Sequence, residues 1–316
     1  MVSLGRIYIA ELMRWFYWVP LRMFIQAVPP AVSHRLARLA GTLLYWTSGK
    51  KKRRLKQGLQ FLFKDTCPRD AVRRTFINYA LNSVEVFFYP TLTREKTARL
   101  VEYEGMEHLT NALGRGKGVI LLHGHFGNEE FLMPAVAFAV RCRVNQLASR
   151  WEAPLNKSWV YRLPNAVRHY AFTMRIGYRE ALPINFIYID KGVRAAYSAL
   201  RNNEILLLAG DGREGSSWTE AEFLGRTAQY SEGPMRMALK TGAEVLPVFL
   251  VRKPDNRHRL IIERPLQLER TTDIQHDIRE NTQRFVDRLS DYVQRYPCHY
   301  MKLFWHDMKY FKEFSQ

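Results

Sequence analysis

Five short, unbroken apolar runs constrain this chain more than any other feature. They cover residues 118–122, 185–189, 205–209, 245–250 and 259–262. Runs of this length with no polar face suit strands that are covered on both sides. Helix candidates at 128–140, 191–202 and 232–241 lie between them. The alternation predicts an α/β fold, with a central, mostly parallel sheet flanked by helices. In such sheets ligands bind beyond the carboxyl ends of the strands. Attention therefore falls on the residues after Leu122 and after Ala209.

The first 95 residues have a different texture. Residues 31–64 predict a helix, with apolar side chains recurring at Leu36, Leu39, Leu43, Leu44 and Trp46. Residues 70–90 predict another, ended by Pro90. Residues 1–30 are apolar, but Glu11, Arg14 and Arg22 interrupt them and Pro29-Pro30 closes them. That pattern suits neither a signal peptide nor a spanning helix, because each charge at a bilayer centre costs roughly 2.5–3.5 kcal/mol. It predicts an interfacial helix inserting Trp15, Phe16, Tyr17, Trp18, Leu21, Phe24 and Ile25, with Arg14 and Arg22 at head-group level. The run Lys50-Lys51-Lys52-Arg53-Arg54, followed by Lys56, lies between two apolar stretches and fits docking on anionic lipid. The chain thus divides into a membrane-associating helical region, 1–95, and an α/β domain, 96–316.

Lys and Arg total 48 against 30 Asp and Glu, a formal net charge of +18. Such a field draws anionic partners: nucleic acid, acidic phospholipid, a phosphorylated lipid or an acidic carrier protein. No nucleic-acid recognition motif is present, which disfavours the first of these. The three cysteines, Cys67, Cys142 and Cys298, are odd in number and widely spaced. They indicate neither a disulfide framework nor a thiolate zinc site, and they fit a reducing compartment.

After the first buried run the chain reads Leu122-His123-Gly124-His125-Phe126-Gly127-Asn128-Glu129-Glu130. Asn128 is placed to cap a helix, with Glu129 and Glu130 in its first turn, where the helix dipole favours carboxylates. Pro134 predicts a kink or an early end. An imidazole is the usual general base near neutral pH, and a carboxylate that orients it stabilises the imidazolium it becomes. A loop histidine and a first-turn glutamate can meet, which makes His125 and Glu130 a candidate dyad. No Ser or Cys follows in a nucleophile-elbow context, so direct transfer is favoured over a covalent intermediate. A different chemistry also fits these residues. His123 and His125, completed by Glu130 and Asp211, would suit a metal-dependent hydrolase, although no further His cluster follows at ligand spacing.

The second strand end reads Ala209-Gly210-Asp211-Gly212-Arg213-Glu214-Gly215 and puts carboxylates and an arginine where a ligand would lie. It lacks the Lys-Ser/Thr pair of a P-loop. Arg226 and Arg236 add positive charge downstream.

Taken together, these blocks resemble the lipid A biosynthesis late acyltransferases of the lysophospholipid acyltransferase superfamily. The hallmark of that family is His, four residues, then Asp or Glu. His125-Phe126-Gly127-Asn128-Glu129-Glu130 matches it, with Glu129 where an aromatic is common. The basic cluster at 50–56, Arg150, Asp211, Phe223-Leu224-Gly225 through Gly233-Pro234, and Tyr296-Pro297 through Trp305-His306 follow in the family's order. The resemblance implies acyl transfer from an acyl carrier protein or acyl-CoA to a hydroxyl of a lipid A precursor or a related lipid. It implies His125 as base and Glu130 as its partner, with Arg150 and Asp211 binding substrate or organising the site; Arg213 and Arg226 join them as substrate-binding candidates from their place at and after the second strand end. It also implies no metal or organic cofactor, and work at the cytoplasmic face of a bacterial inner membrane.

Overall fold

The structure is a computed structural model that describes residues 4–64, 68–149, 162–212, 215–305 and 311. Nine strands are present among them: β1 (Val101–Glu104), β2 (Val119–His123), β3 (Val144–Ala148), β4 (Asn185–Tyr188), β5 (Ile205–Ala209), β6 (Trp218–Phe223), β7 (Arg226–Ser231), β8 (Glu244–Arg252) and β9 (His258–Ile262). Seven form one sheet in the order β1-β9-β8-β2-β5-β3-β4. All its pairings are parallel except β8 with β9. β6 and β7 make a separate antiparallel hairpin.

The apolar runs explain the layers. Val119 to Leu122 are each fully buried, and burying side chains of this size contributes roughly 1.5–3 kcal/mol apiece. Successive side chains on a strand point to opposite faces. Accordingly Ile120, Leu122, Leu206, Leu208, Val245 and Phe249 join one core. Val119, Leu121, Ile205, Leu207, Leu246, Val248 and Leu250 join the other. The first core is covered by helices Gly49–Phe63, Arg194–Arg201, Gly233–Thr241 and Ile274–Arg295. The second is covered by helices Met106–Gly114, Glu129–Ala139 and Arg162–Glu180, with Trp18 and Ile25 from the N-terminus. Residues before 95 therefore pack into both cores.

The predicted helix over 31–64 is two, Pro30–Thr47 and Gly49–Phe63, broken at Ser48. Pro30–Thr47 buries Ser33, His34, Ala37 and Gly41, and it packs closely on helix Ala71–Glu85: a Cβ on Gly41 would lie 2.6 Å from the Ile77 Cα. The N-terminal helix Leu4–Phe16 continues through a π-helical turn, Tyr17–Leu21, into Arg22–Ala27. Pro20 lies in that wider turn and has no N–H for an ordinary helical bond.

The set expected to insert into a membrane is corrected by this packing. Trp15, Phe16 and Phe24 are exposed, but Trp18 and Ile25 are core residues and Tyr17 and Leu21 are half-buried. Trp18 stacks edge-on against Phe87, and the Tyr17 hydroxyl donates to the Ser83 carbonyl. Glu11 is buried as well and accepts from the Arg168 Nε at 2.7 Å. No helix among the described residues is long and apolar enough to cross a membrane.

Candidate functional site

β2 and β5 are parallel neighbours, and their register pairs His123 with Ala209. Two residues beyond each strand end stand His125 and Asp211, so the register carries over into the loops. The His125 Nδ1–H donates to Asp211 Oδ1 at 2.7 Å. The His125 backbone N–H donates to both carboxylate oxygens of Asp211, at 3.0 and 3.1 Å. Asp211 is fully buried. This arrangement fixes one tautomer: Nδ1 carries the proton, and the neutral ring presents its Nε2 lone pair.

Glu129 flanks the Nε2 edge, with Oε2 3.6 Å from His125 Nε2. Burial opposes a charge on His125, but the carboxylates of Glu129 and Asp211 overcome it and push the imidazole up to about 9. Burial also pushes Glu129 above the usual carboxylate range. Asp211 is buried too, yet the His125 and Lys302 cations hold it well below its ordinary value. Lys302 is itself buried; its ammonium donates to the Asp211 carbonyl at 2.5 Å and lies 3.9 Å from Asp211 Oδ2.

The loop between strand and helix is pinned from below. Gly127 adopts φ +69°, and a Cβ there would stand 1.8 Å from the Leu250 carbonyl oxygen, so glycine is required. The Gly127 N–H donates to the His299 carbonyl at 2.8 Å, and the Asn82 amide donates to the Gly127 carbonyl at 2.9 Å. Asn128 caps helix Glu129–Ala139 by accepting from the Phe131 N–H, as the sequence predicts, and its amide donates to Glu85 Oε2 at 2.6 Å. Pro134 does not end that helix, which runs on to Ala139. Glu85 is a buried hub: it accepts from Arg252 at 2.5 and 2.9 Å and contacts the Nε2 atoms of His34 and His258 at 3.0 and 2.9 Å. Despite burial, the Arg252 and His258 charges keep it well below the usual carboxylate range.

The partner predicted for His125 sits elsewhere. The Glu130 Oε1 accepts from Arg175 at 2.6 Å and from Arg179 at 2.7 Å, both on helix Arg162–Glu180. Glu130 lies one residue past Glu129 in the helix, so its side chain turns away by about a quarter of a revolution. Burial favours its protonated form, but the two guanidinium groups hold it down to about 2. In the structure Asp211, not Glu130, orients the Nδ1 edge of the imidazole.

His123 donates from Nδ1 to the Gly124 carbonyl at 3.0 Å, and burial lowers its imidazole to about 4. Among the described residues no group of three His, Cys, Asp or Glu side chains is placed to hold a metal ion. Arg226 donates to the Phe61 carbonyl at 3.2 Å and lays its guanidinium over the Phe61 ring at 4.2 Å. Arg150, Arg213 and His306 lie outside the described residues.

Residues 6–306 match the bacterial lipid A biosynthesis acyltransferase family. The chain belongs to that family. It is also similar to a phosphatidylinositol mannoside acyltransferase of Mycobacterium tuberculosis (strain CDC 1551 / Oshkosh), 26% identical over 169 residues, 52% of this chain and 48% of the relative. The protein of the same description from strain ATCC 25618 / H37Rv matches equally. That of Mycolicibacterium smegmatis is 22% identical over 243 residues, 73% of this chain and 70% of the relative. The chain therefore spans about half the length of the M. tuberculosis relatives it matches.

In this acyltransferase family member, Lys302, Glu85, Arg175 and Arg179 take places at the site that the sequence analysis does not assign. A lone lysine inside Tyr300-Met301-Lys302-Leu303-Phe304, where the flanking side chains are apolar, was the available signal for the first. Arg175 and Arg179 are four apart on one helix face, a spacing that lets two cations share one carboxylate. Glu85 offers no such signal, since its partners His34, Asn128, Arg252 and His258 come from four separate segments.

Proposed function

We propose that this chain moves a fatty acyl group from an acyl thioester to a hydroxyl of an amphiphilic lipid acceptor at a membrane surface, with His125 as general base. The observation that carries this reading is the His125–Asp211 pair, which directs a basic Nε2 away from a buried carboxylate. Neutral Nε2 takes the acceptor's hydroxyl proton as the oxygen attacks the thioester carbonyl. The tetrahedral intermediate collapses, the C–S bond breaks, and the imidazolium returns the proton to the departing thiolate. Asp211 keeps the ring in its productive tautomer and stabilises the imidazolium, as in other carboxylate–imidazole pairs. This sequence of steps requires no metal or organic cofactor.

A glycolipid acceptor, a lipid A precursor or a relative of it, fits the family, and the curated relatives are described as acting on a phosphatidylinositol mannoside. The donor is an acyl carrier protein or acyl-CoA; both are anionic and suit the net charge of +18. The same charge suits the anionic cytoplasmic face of an inner membrane. Helix Pro30–Thr47 favours such docking. Val32, Leu36, Leu39, Leu43 and Trp46 recur on its outer face and are exposed, at up to 68% for Leu39 and Trp46. Lys50, Arg53, Arg54 and Lys56 follow directly and are exposed.

The test is His125→Ala in purified protein supplied with an acyl carrier thioester and a glycolipid acceptor. A fall in transfer of about 10³-fold or more, with the circular dichroism spectrum unchanged, is expected. Retained transfer by a folded variant overturns the assignment.

A further inference from the structure

We propose that Lys302 is a positioning residue of the transfer site, whose buried ammonium locks the Asp211 turn against His125. The proposal rests on the reading of His125 as the base. Residues 299–302 run beside the catalytic loop: the Gly127 N–H donates to the His299 carbonyl, Phe126 bridges Tyr300, and the Lys302 N–H donates to the His125 carbonyl at 3.2 Å. The same lysine then reaches the other member of the pair, donating from Nζ to the Asp211 carbonyl at 2.5 Å. One residue thus ties the backbones of His125 and Asp211 together from a third segment of the chain.

The setting makes the charge hard to explain otherwise. Lys302 is 1% exposed, among Tyr300, Met301, Leu303 and Phe304, all of them buried. Lysine is almost never fully buried without compensation. Here the compensation is the Asp211 carboxylate, 3.9 Å away, and the face of Tyr230, 5.7 Å from the ammonium. The carboxylate is already used three times by His125, through Nδ1 and twice through the backbone N–H. Lys302 steadies the turn that carries it.

The charges around the imidazole show what the lysine adds. Asp211 and Glu129 both favour a proton on His125, and Lys302 opposes it, with neutral His123 nearby. Arg179, from helix Arg162–Glu180, acts on Glu129. Without Lys302 two carboxylates would act on one imidazole with less opposition. The ring would hold its proton more firmly still, and a smaller neutral fraction would be left to act as a base near pH 7.

Lys302→Gln keeps a donor for the Asp211 carbonyl and removes the charge. The His125 imidazole, followed by NMR in ¹⁵N-labelled protein and assigned against His125→Ala, is expected to titrate above the wild-type value. Acyl transfer at pH 7 is expected to fall about tenfold, with KM within about twofold, and to recover as pH rises. Lys302→Arg, which keeps the charge, should titrate close to wild type if it folds. Unchanged titration together with an equal loss at every pH assigns a purely structural role and overturns the proposal. Should Lys302→Gln fail to fold, the same titration is read on Asp211→Asn and on Asp211→Asn/Lys302→Gln, which leave no carboxylate without its cation. His125 titrating lower in the variant that keeps Lys302 supports the proposal, and equal values overturn it. The titration needs no turnover, so it stands apart from the His125→Ala transfer assay.

Discussion

The Nδ1 atom of His125 stands 2.7 Å from Oδ1 of Asp211, a residue 86 positions further along the chain. The same offset pairs every residue of β2 with its partner on β5, from Val119 with Ile205 to His123 with Ala209. The dyad is a continuation of strand register past the carboxyl ends of two adjacent parallel strands. Such ends converge at one edge of the sheet, where ligands bind in folds of this class. A one-residue slip of β5 on β2 would separate the pair and send each buried side chain of β5 into the opposite core.

Asp211→Asn is therefore expected to preserve the fold and to damage the chemistry. An asparagine can present its amide nitrogen or its oxygen to Nδ1, and it no longer stabilises an imidazolium. A fall in kcat of about 10³-fold, with KM changed little, is the expected result. Steady-state kinetics at several acceptor concentrations checks it. A variant within about tenfold of wild type would remove Asp211 from the mechanism.

The pH dependence follows from the raised imidazole. With His125 at about 9 in the free protein, the ring is mostly protonated at pH 7, and only the neutral form is a base. Transfer measured as kcat/KM should rise with pH and level off above about 9. Replacing Glu129 by Gln removes one of the two carboxylates that hold the proton. The acid limb of the profile should then move to lower pH, and the rate at pH 7 should approach its plateau. An acid limb that stays in place would separate Glu129 from the titration of His125.

Much of this was legible in the chain, for reasons that particular residues make clear. β2, β5 and β8 announce themselves because both faces of each are covered, so no polar residue interrupts them. β3 did not, because Val144-Asn145-Gln146-Leu147-Ala148 carries two amides. Asn145 is fully buried but satisfied: its amide donates to Glu204 and to the Ile205 carbonyl, and its oxygen accepts from Asn185. Pattern rejects such a strand, whereas hydrogen-bond accounting accepts it. The helix start at Asn128 was legible because capping is local. The partner of His125 was not, because Glu130 is near in sequence and Asp211 is near only once β2 and β5 are in register.

Glu130 has a stability role that can be measured apart from catalysis. Its carboxylate is held down to about 2 by Arg175 and Arg179, below the ordinary value of 4.5. A depressed carboxylate contributes stability that is present above its unfolded pKa and is lost as pH falls through the folded one. Glu130→Gln keeps an acceptor oxygen but no charge. It should cost about 2 kcal/mol near neutral pH, discounted because Arg175 is partly exposed. Denaturant titrations at several pH values should show the gap to wild type closing between pH 4.5 and about 2. A gap that is flat across that window would mean the ion pairs contribute nothing through charge.

Docking on lipid makes the last prediction, and it separates exposed apolar side chains from core ones. Leu39, Leu43 and Trp46 are 68%, 64% and 68% exposed, so replacing all three with Ser should leave the fold intact. Each side chain inserted into a bilayer interface contributes roughly 1–2 kcal/mol, so the triple variant should bind vesicles more than tenfold less tightly. The neighbouring Lys50, Arg53, Arg54 and Lys56 add an electrostatic part, about 1 kcal/mol for each residue close to the surface. Binding of the wild-type protein should accordingly weaken in high salt and on vesicles without anionic lipid. Trp18→Ser serves as the contrast, because that ring lies in the core beside Phe87 and Tyr178 and its loss should lower Tm. Co-sedimentation with anionic vesicles reads the first effect and thermal unfolding the second. Unchanged sedimentation of the triple variant would move the membrane contact to another face of the molecule.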